Sequence, residues 1–179
     1  MLSPSSASGT SAIPVLRAMG GGAEVRLRLA QLRMARGELD EALLEIEAVL
    51  AREPDLHLAH FLRAEILRQQ GEDERALTEY ATAIELHPRF AEGHLRLADL
   101  HALRGLLAEA VTLYRRALEF DPGLVLARLG LGMVFLKQNE FRRAVAEYEA
   151  AVRVEPRLAE GGHMLGDYFT LVETSLRCG

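Results

Sequence analysis

In this chain of 179 residues, the side chains best suited to chemistry are six histidines. His57 and His60 are three apart and His94 and His101 seven apart, so each pair falls on one face of a helix, where two imidazoles could share a metal ion. Two of these histidines argue for packing instead. His60 and His94 are 34 residues apart, the interval at which much of the chain repeats, so they hold equivalent places in a repeated unit. Nothing else supports catalysis: no Gly-rich phosphate loop after a strand, no paired-cysteine motif, no serine elbow and no His-Glu zinc-protease pair. The expectation is a protein that is not an enzyme and takes no metal and no cofactor. The single cysteine, Cys178, cannot form an internal disulfide, and a chain this long buries about 70% of its unfolded surface without a staple. A reducing, cytoplasmic setting follows as the expectation.

The elements that must position these residues are set by repetition. The stretches "LEIEAVLAREP", "TEYATAIELHP", "TLYRRALEFDP" and "AEYEAAVRVEP" end at Pro54, Pro88, Pro122 and Pro156, each 34 residues after the last. Within each period the apolar residues fall at helical spacing, and no stretch alternates with the period of two that a strand requires. A break divides each period at Gly37, Gly71, Gly105 and Asn139, residue types that tolerate the left-handed backbone ending a helix. Each unit therefore reads helix, turn, helix, stop. The spacing predicts helices over 23–36 and 39–52, 57–70 and 73–86, 91–104 and 107–120, and 125–138 and 141–154, with a ninth from Ala159 to Thr174. The repeats span about 23–56, 57–90, 91–124 and 125–158, followed by a half-repeat over 159–174. Residues 1–22, rich in Ser, Ala, Gly and Pro, have no periodic face and read as a disordered tail.

Small residues recur where helices must approach closely. Ala30, Ala64, Ala98 and Gly132 in the first helices stand twelve residues before Ala42, Ala76, Ala110 and Ala144 in the second. Larger fillers, Ile46, Tyr80, Tyr114 and Tyr148, occupy the remaining space.

This pattern resembles the tetratricopeptide repeat, a 34-residue unit with Trp, then Leu-Gly, then Tyr, then Ala with an aromatic four residues on, then Pro. In the fourth unit Leu131, Gly132, Phe135, Ala144, Tyr148 and Pro156 match it, and "MLGDYF" repeats the spacing with Leu165, Gly166 and Phe169. The chain departs from the pattern at the Trp place, where Arg26, His60, His94 and Arg128 stand, and at Arg33 in the first unit. The resemblance implies an all-α fold: a right-handed α-solenoid of four helix-turn-helix repeats closed by a C-terminal capping helix. Its first helices would line a concave groove and its second helices, with Glu79, an outer wall.

It also implies what the groove is for, the capture of a peptide or helix from a partner protein. Helical wheels place an apolar rung, Leu27, Phe61, Leu95 and Leu129, on the inner face. Beside it run Gln31, Glu65, Asp99, Met133 and Asp167, and one turn further Met34, Arg68, Ala102 and Leu136. The apolar rung either packs between neighbouring first helices or stays partly open as an anchor site flanked by acids, with Glu65 stacked above Asp99. An open rung would favour a partner with apolar anchors and basic residues. Similar domains that hold the C-terminal carboxylate of heat-shock chaperones need Lys, Asn and Arg, where this chain has Leu27, Gln31, Glu65, Leu58 and Leu62. Chaperone-tail binding is not expected.

Charge narrows the partner class. A formal net charge of -5 with 6% aromatic residues and no Trp argues against a nucleic-acid surface, and the arginines are interleaved with acids. No run of 18 apolar residues exists and the opening residues lack a signal-peptide pattern, so no membrane insertion is expected. Three function classes follow: a scaffold or adaptor, a fragment or helper module of a larger enzyme or secretion complex, and a scaffold that self-assembles through exposed array ends.

Overall fold

A computed structural model describes residues 22–160. The expected tail before Gly22 lies outside these residues, as does the half-repeat 159–174 apart from its first two residues. Among the described residues there are eight long helices: α1 (Ala23–Ala35), α2 (Leu39–Leu50), α3 (His57–Gln69), α4 (Asp73–Leu86), α5 (Ala91–Leu103), α6 (Leu107–Phe120), α7 (Val125–Lys137) and α8 (Phe141–Val154). A short α9 (Arg157–Glu160) begins two residues before the expected ninth helix. No strand occurs among the described residues.

The predicted breaks act as helix stops. Gly37, Gly71 and Gly105 have φ of 76°, 81° and 78°, and Asn139 has 60°. This left-handed residue lets two amides turn back onto the ending helix. In the first unit the Glu38 amide donates to the Arg33 carbonyl at 2.9 Å and the Gly37 amide to Met34 at 3.0 Å. The same pair recurs at Glu72 and Gly71, at Leu106 and Gly105, and at Glu140 and Asn139. None of the eight long helices has a side-chain cap at its N-terminus. Tight turns and packing therefore fix the helix starts. Asp40 and Glu41 in the first turn of α2, and Asp73 and Glu74 in that of α4, add a favourable interaction with the helix dipole.

The chain forms two compact units that divide after Pro88. In unit 1, α1 packs on α2, α3 on α4, and α3 against both α1 and α2. Its core gathers Ala30, Ala42, Ile46, Val49, Ala59, Leu62 and Ile66. In unit 2, α5 pairs with α6, α7 with α8, and α7 lies against α5 and α6 around a core centred on Leu95, Ala98, Tyr114, Leu131, Phe135 and Tyr148.

The repeated small residues are sealed. Ala30, Ala42, Ala64, Ala76, Ala98, Ala110 and Ala144 are each 0% exposed. At Gly132 a methyl group would lie 2.7 Å from Cε1 of Tyr148, so α7 approaches the tyrosine ring more closely than alanine permits. The predicted fillers Ile46, Tyr80, Tyr114 and Tyr148 are all buried, and each such side chain contributes on the order of 1.5–3 kcal/mol by leaving water.

Candidate binding surface on the first helices

In unit 1 the neighbouring first helices α1 and α3 leave an open depression of about 360 Å³. Glu24, Leu27, Arg28 and Gln31 line it from α1, and Leu58, Phe61 and Leu62 from α3. Leu62 is buried and forms part of the floor, Leu27 and Phe61 are half-buried, and Leu58 and Gln31 are exposed. The Phe61 ring leans on Tyr80 at 5.7 Å between centroids with a 55° tilt, which leaves its outer edge toward the depression. The residues singled out from the sequence as Leu27, Gln31 and Phe61 are thus brought together on one surface.

One turn beyond Phe61, Glu65 is already engaged. The Tyr80 hydroxyl donates to it, and Arg68 reaches its other oxygen at 3.3 Å. Burial pushes the Tyr80 phenol well above its ordinary range, and the Glu65 carboxylate accepting its proton adds to the shift. Arg68 extends into solvent beside it.

Unit 2 repeats this device 34 residues on. Tyr114 donates to Asp99 at 2.7 Å, and Arg96 stands 3.5 Å from Asp99 and 2.9 Å from Glu92. The Tyr114 phenol is raised by burial and then by the Asp99 charge. The acids expected to flank the groove are therefore held in place by a tyrosine hydroxyl and an arginine. On the apolar rung, Leu95 is 0% exposed within the unit 2 core, so it packs between helices. Leu129 and Leu136 lean on that core while remaining half-buried, and Met133 is 50% exposed.

Sequence reasoning missed a second set of contacts. At the Trp place of the pattern, Arg26 binds Glu45 at 2.7 Å, with Arg33 at 3.6 Å. In the second repeat His60 lies 2.8 Å from Glu79, which also takes Arg63 at 2.7 Å, and in the fourth Arg128 lies 3.5 Å from Glu147. These links tie the first helix to the second in the first, second and fourth repeats. The 34-residue recurrence of Glu45, Glu79 and Glu147 opposite Arg26, His60 and Arg128 was the available signal. In the third repeat Leu113 replaces the acid, and His94 rests instead on Phe120 at 5.4 Å. Glu79, expected on the outer wall, is thus a half-buried seam residue.

Three of the histidines that opened the metal question, His57, His60 and His94, are partnered within this packing. His57 stacks on His87, with ring centroids 4.6 Å apart, so the pairing of His57 with His60 read from spacing gives way to one closed by the α3–α4 hairpin. Partial burial and then the neighbouring His87 lower the His57 pKa. Among the described residues no group of three or more His, Cys, Asp or Glu side chains is arranged to hold a metal ion. No helix among them is long and apolar enough to cross a membrane.

Comparison with known proteins identifies the repeat. A family model described as tetratricopeptide repeat matches residues 27–85, 74–125 and 129–162. A comparison with curated protein sequences finds no match. Among solved structures, a crystal structure of MamA aligns with a TM-score of 0.71 and 20% identity, over 85% of this chain and 91% of that one. MamA from Desulfovibrio magneticus RS-1 aligns at 0.70 and 16%, over 84% and 88%. PilF of Pseudomonas aeruginosa aligns at 0.71 and 20%, over 75% of this chain and 61% of its own. At these identities the likeness is one of fold.

Proposed function

Because the chain belongs to the tetratricopeptide repeat family, we propose that it works without catalysis, as a scaffold or adaptor that holds a segment of a partner protein against its first helices. The observation that carries this reading is the depression between α1 and α3, where Leu27, Leu58 and Phe61 meet solvent beside the charged Glu24 and Arg28. Apolar side chains in a shallow open channel are what an amphipathic helix or extended peptide covers. In unit 2 the corresponding face offers Leu129, Met133 and Leu136, with Leu95 beneath.

The partner segment presents Leu-like anchors with at least one Lys or Arg. Glu24 is the acid at the rim, and Glu65, already bound by Tyr80 and Arg68, stands one turn beyond Phe61. Their share is selectivity and encounter rate, so raised salt weakens binding moderately without abolishing it. The site of action proposed is the cytoplasm.

A photo-crosslinking side chain placed at Leu58 tests the location and captures the partner together. Leu58 is 40% exposed, so the replacement leaves the core intact. Adducts formed in cell extract from position 58, and not from the exposed second-helix position Glu85, support the reading. Adducts from position 85 alone overturn it.

A further inference from the structure

Charge is distributed unevenly between the two units. With histidines neutral, residues 22–88 hold fourteen acidic and eight basic side chains, a net of -6. Residues 89–160 hold ten acidic and eleven basic, a net of +1. The contrast is sharpest at the turns joining first to second helices. In unit 1 residues 36–41 and 70–75 carry six acids, Glu38, Asp40, Glu41, Glu72, Asp73 and Glu74, against Arg36 and Arg75, for a net of -4. The two turns adjoin, since the Gln70 amide donates to Asp40 at 3.1 Å. In unit 2 the turns at 103–107 and 137–143 carry Arg104, Lys137, Arg142 and Arg143 against Glu140, for a net of +3. They adjoin too, since Lys137 donates to the Ala102 carbonyl at 3.5 Å.

Each of these edges also exposes leucine. Leu44, one helical turn after Asp40 and Glu41 on the same face of α2, is 64% exposed. On the basic edge Leu103 is 75% and Leu106 38% exposed. Leu44 and Leu103 therefore keep most of their surface in water.

We propose that the acidic turn edge of unit 1 and the basic turn edge of unit 2 are complementary docking surfaces, and that the occupant of each is a second copy of this chain. Leu44 of one copy meets Leu103 and Leu106 of the next, with Glu41 and Asp73 facing Lys137 and Arg142. The two surfaces differ, so the contact is heterologous. Each bound pair leaves one acidic and one basic edge unoccupied, and association continues beyond a dimer unless a ring closes. The proposal does not depend on the α1–α3 depression and uses none of its residues.

The test is sedimentation velocity of the full chain across a wide concentration range, in about 0.1 M and about 1 M NaCl, where the Debye length is about 10 Å and about 3 Å. The wild type associates in the lower salt and dissociates in the higher. An acidic-edge variant, Glu41→Lys with Asp73→Lys, and a basic-edge variant, Lys137→Glu with Arg142→Glu, each associate about tenfold more weakly alone. Mixing the two restores association, because the intact basic edge of the first meets the intact acidic edge of the second. That rescue also shows that both variants remain folded. Leu103→Ser, at a position too exposed to affect folding, weakens association in both salts. A wild type that is monomeric throughout in the lower salt overturns the proposal. So does association that both charge variants retain, or a mixture that stays monomeric.

Discussion

Gly132→Ala sets two effects of known size against each other. In a helix interior alanine is favoured over glycine by about 1 kcal/mol. The new methyl would lie 2.7 Å from Cε1 and 2.9 Å from Cζ of Tyr148, whereas ordinary contact begins near 3.4 Å. The ring must withdraw by more than half an ångström, yet Tyr148 is only 3% exposed and is wedged in the unit 2 core. Overpacking of this kind costs about 1–3 kcal/mol, so the net result is a destabilisation of about 1 kcal/mol. For a chain of this size the melting temperature should fall by about 2–4 °C, read by circular dichroism. Tyr148→Leu removes the opposing ring. In that background Gly132→Ala should lose its penalty and become neutral or stabilising by up to about 1 kcal/mol. A single substitution that raises the melting temperature, or a penalty that persists with leucine at 148, refutes the close-approach argument.

Three further substitutions probe other parts of the structure. Ala110→Leu adds three carbons at a 0% exposed contact between α6 and its neighbours and should cost about 1–3 kcal/mol in urea unfolding; a neutral result would show that the site has room. Glu45→Ala strands Arg26 and Arg33 around a 7% exposed carboxylate site. Arg26 keeps one third of its side chain in water, so the expected loss is about 2–3 kcal/mol, and a loss below about 0.5 kcal/mol would contradict a structural role for the seam pair. The His57 pKa is lowered in the folded chain, so the unfolded chain binds that proton more readily. Its stability contribution is level above the unfolded value of 6.5 and declines as pH falls through it. His57→Gln should flatten the melting-temperature slope below about pH 6.5, and an unchanged slope would exclude the stacked pair as its source.

How much of this was legible from residue order depends on what each feature requires. A backbone conformation leaves its mark on residue type: the left-handed stops needed glycine or asparagine, and close helix approach needed alanine, so Gly37, Gly71, Gly105, Asn139 and the alanine pairs could be read directly. The predicted limits of the eight long helices differ from those observed by at most two residues. Contacts made by long side chains reaching across a seam leave a weaker mark. Glu45, Glu79 and Glu147 were ordinary surface acids by pattern until the hairpins set them opposite Arg26, His60 and Arg128. His57 and His87, thirty residues apart, meet only when α3 and α4 close.

Of the surface residues, Leu27, Gln31 and Phe61 line one depression, where helical periodicity puts them on facing sides of α1 and α3. Leu95 has the same periodic place as Phe61 but lies in the unit 2 core, a difference set by the neighbours and not by the period. Gly130 carried no repeated signal, since Arg28, Leu62 and Arg96 hold its equivalent positions. Even so, a methyl there would lie 2.5 Å from Cζ of Tyr114.

The central claim, that the first-helix surface holds the partner, is tested most directly by calorimetric titration of the segment captured through position 58 into wild type, Phe61→Ala and Glu85→Lys. Melting curves beforehand confirm that Phe61→Ala, which also loses its Tyr80 contact, remains folded at the titration temperature. An aromatic anchor at the centre of such a surface carries about 2 kcal/mol, so Phe61→Ala should weaken binding by about thirtyfold while Glu85→Lys leaves it within about twofold. Unchanged affinity for Phe61→Ala together with a large loss for Glu85→Lys would place the partner elsewhere and contradict the account.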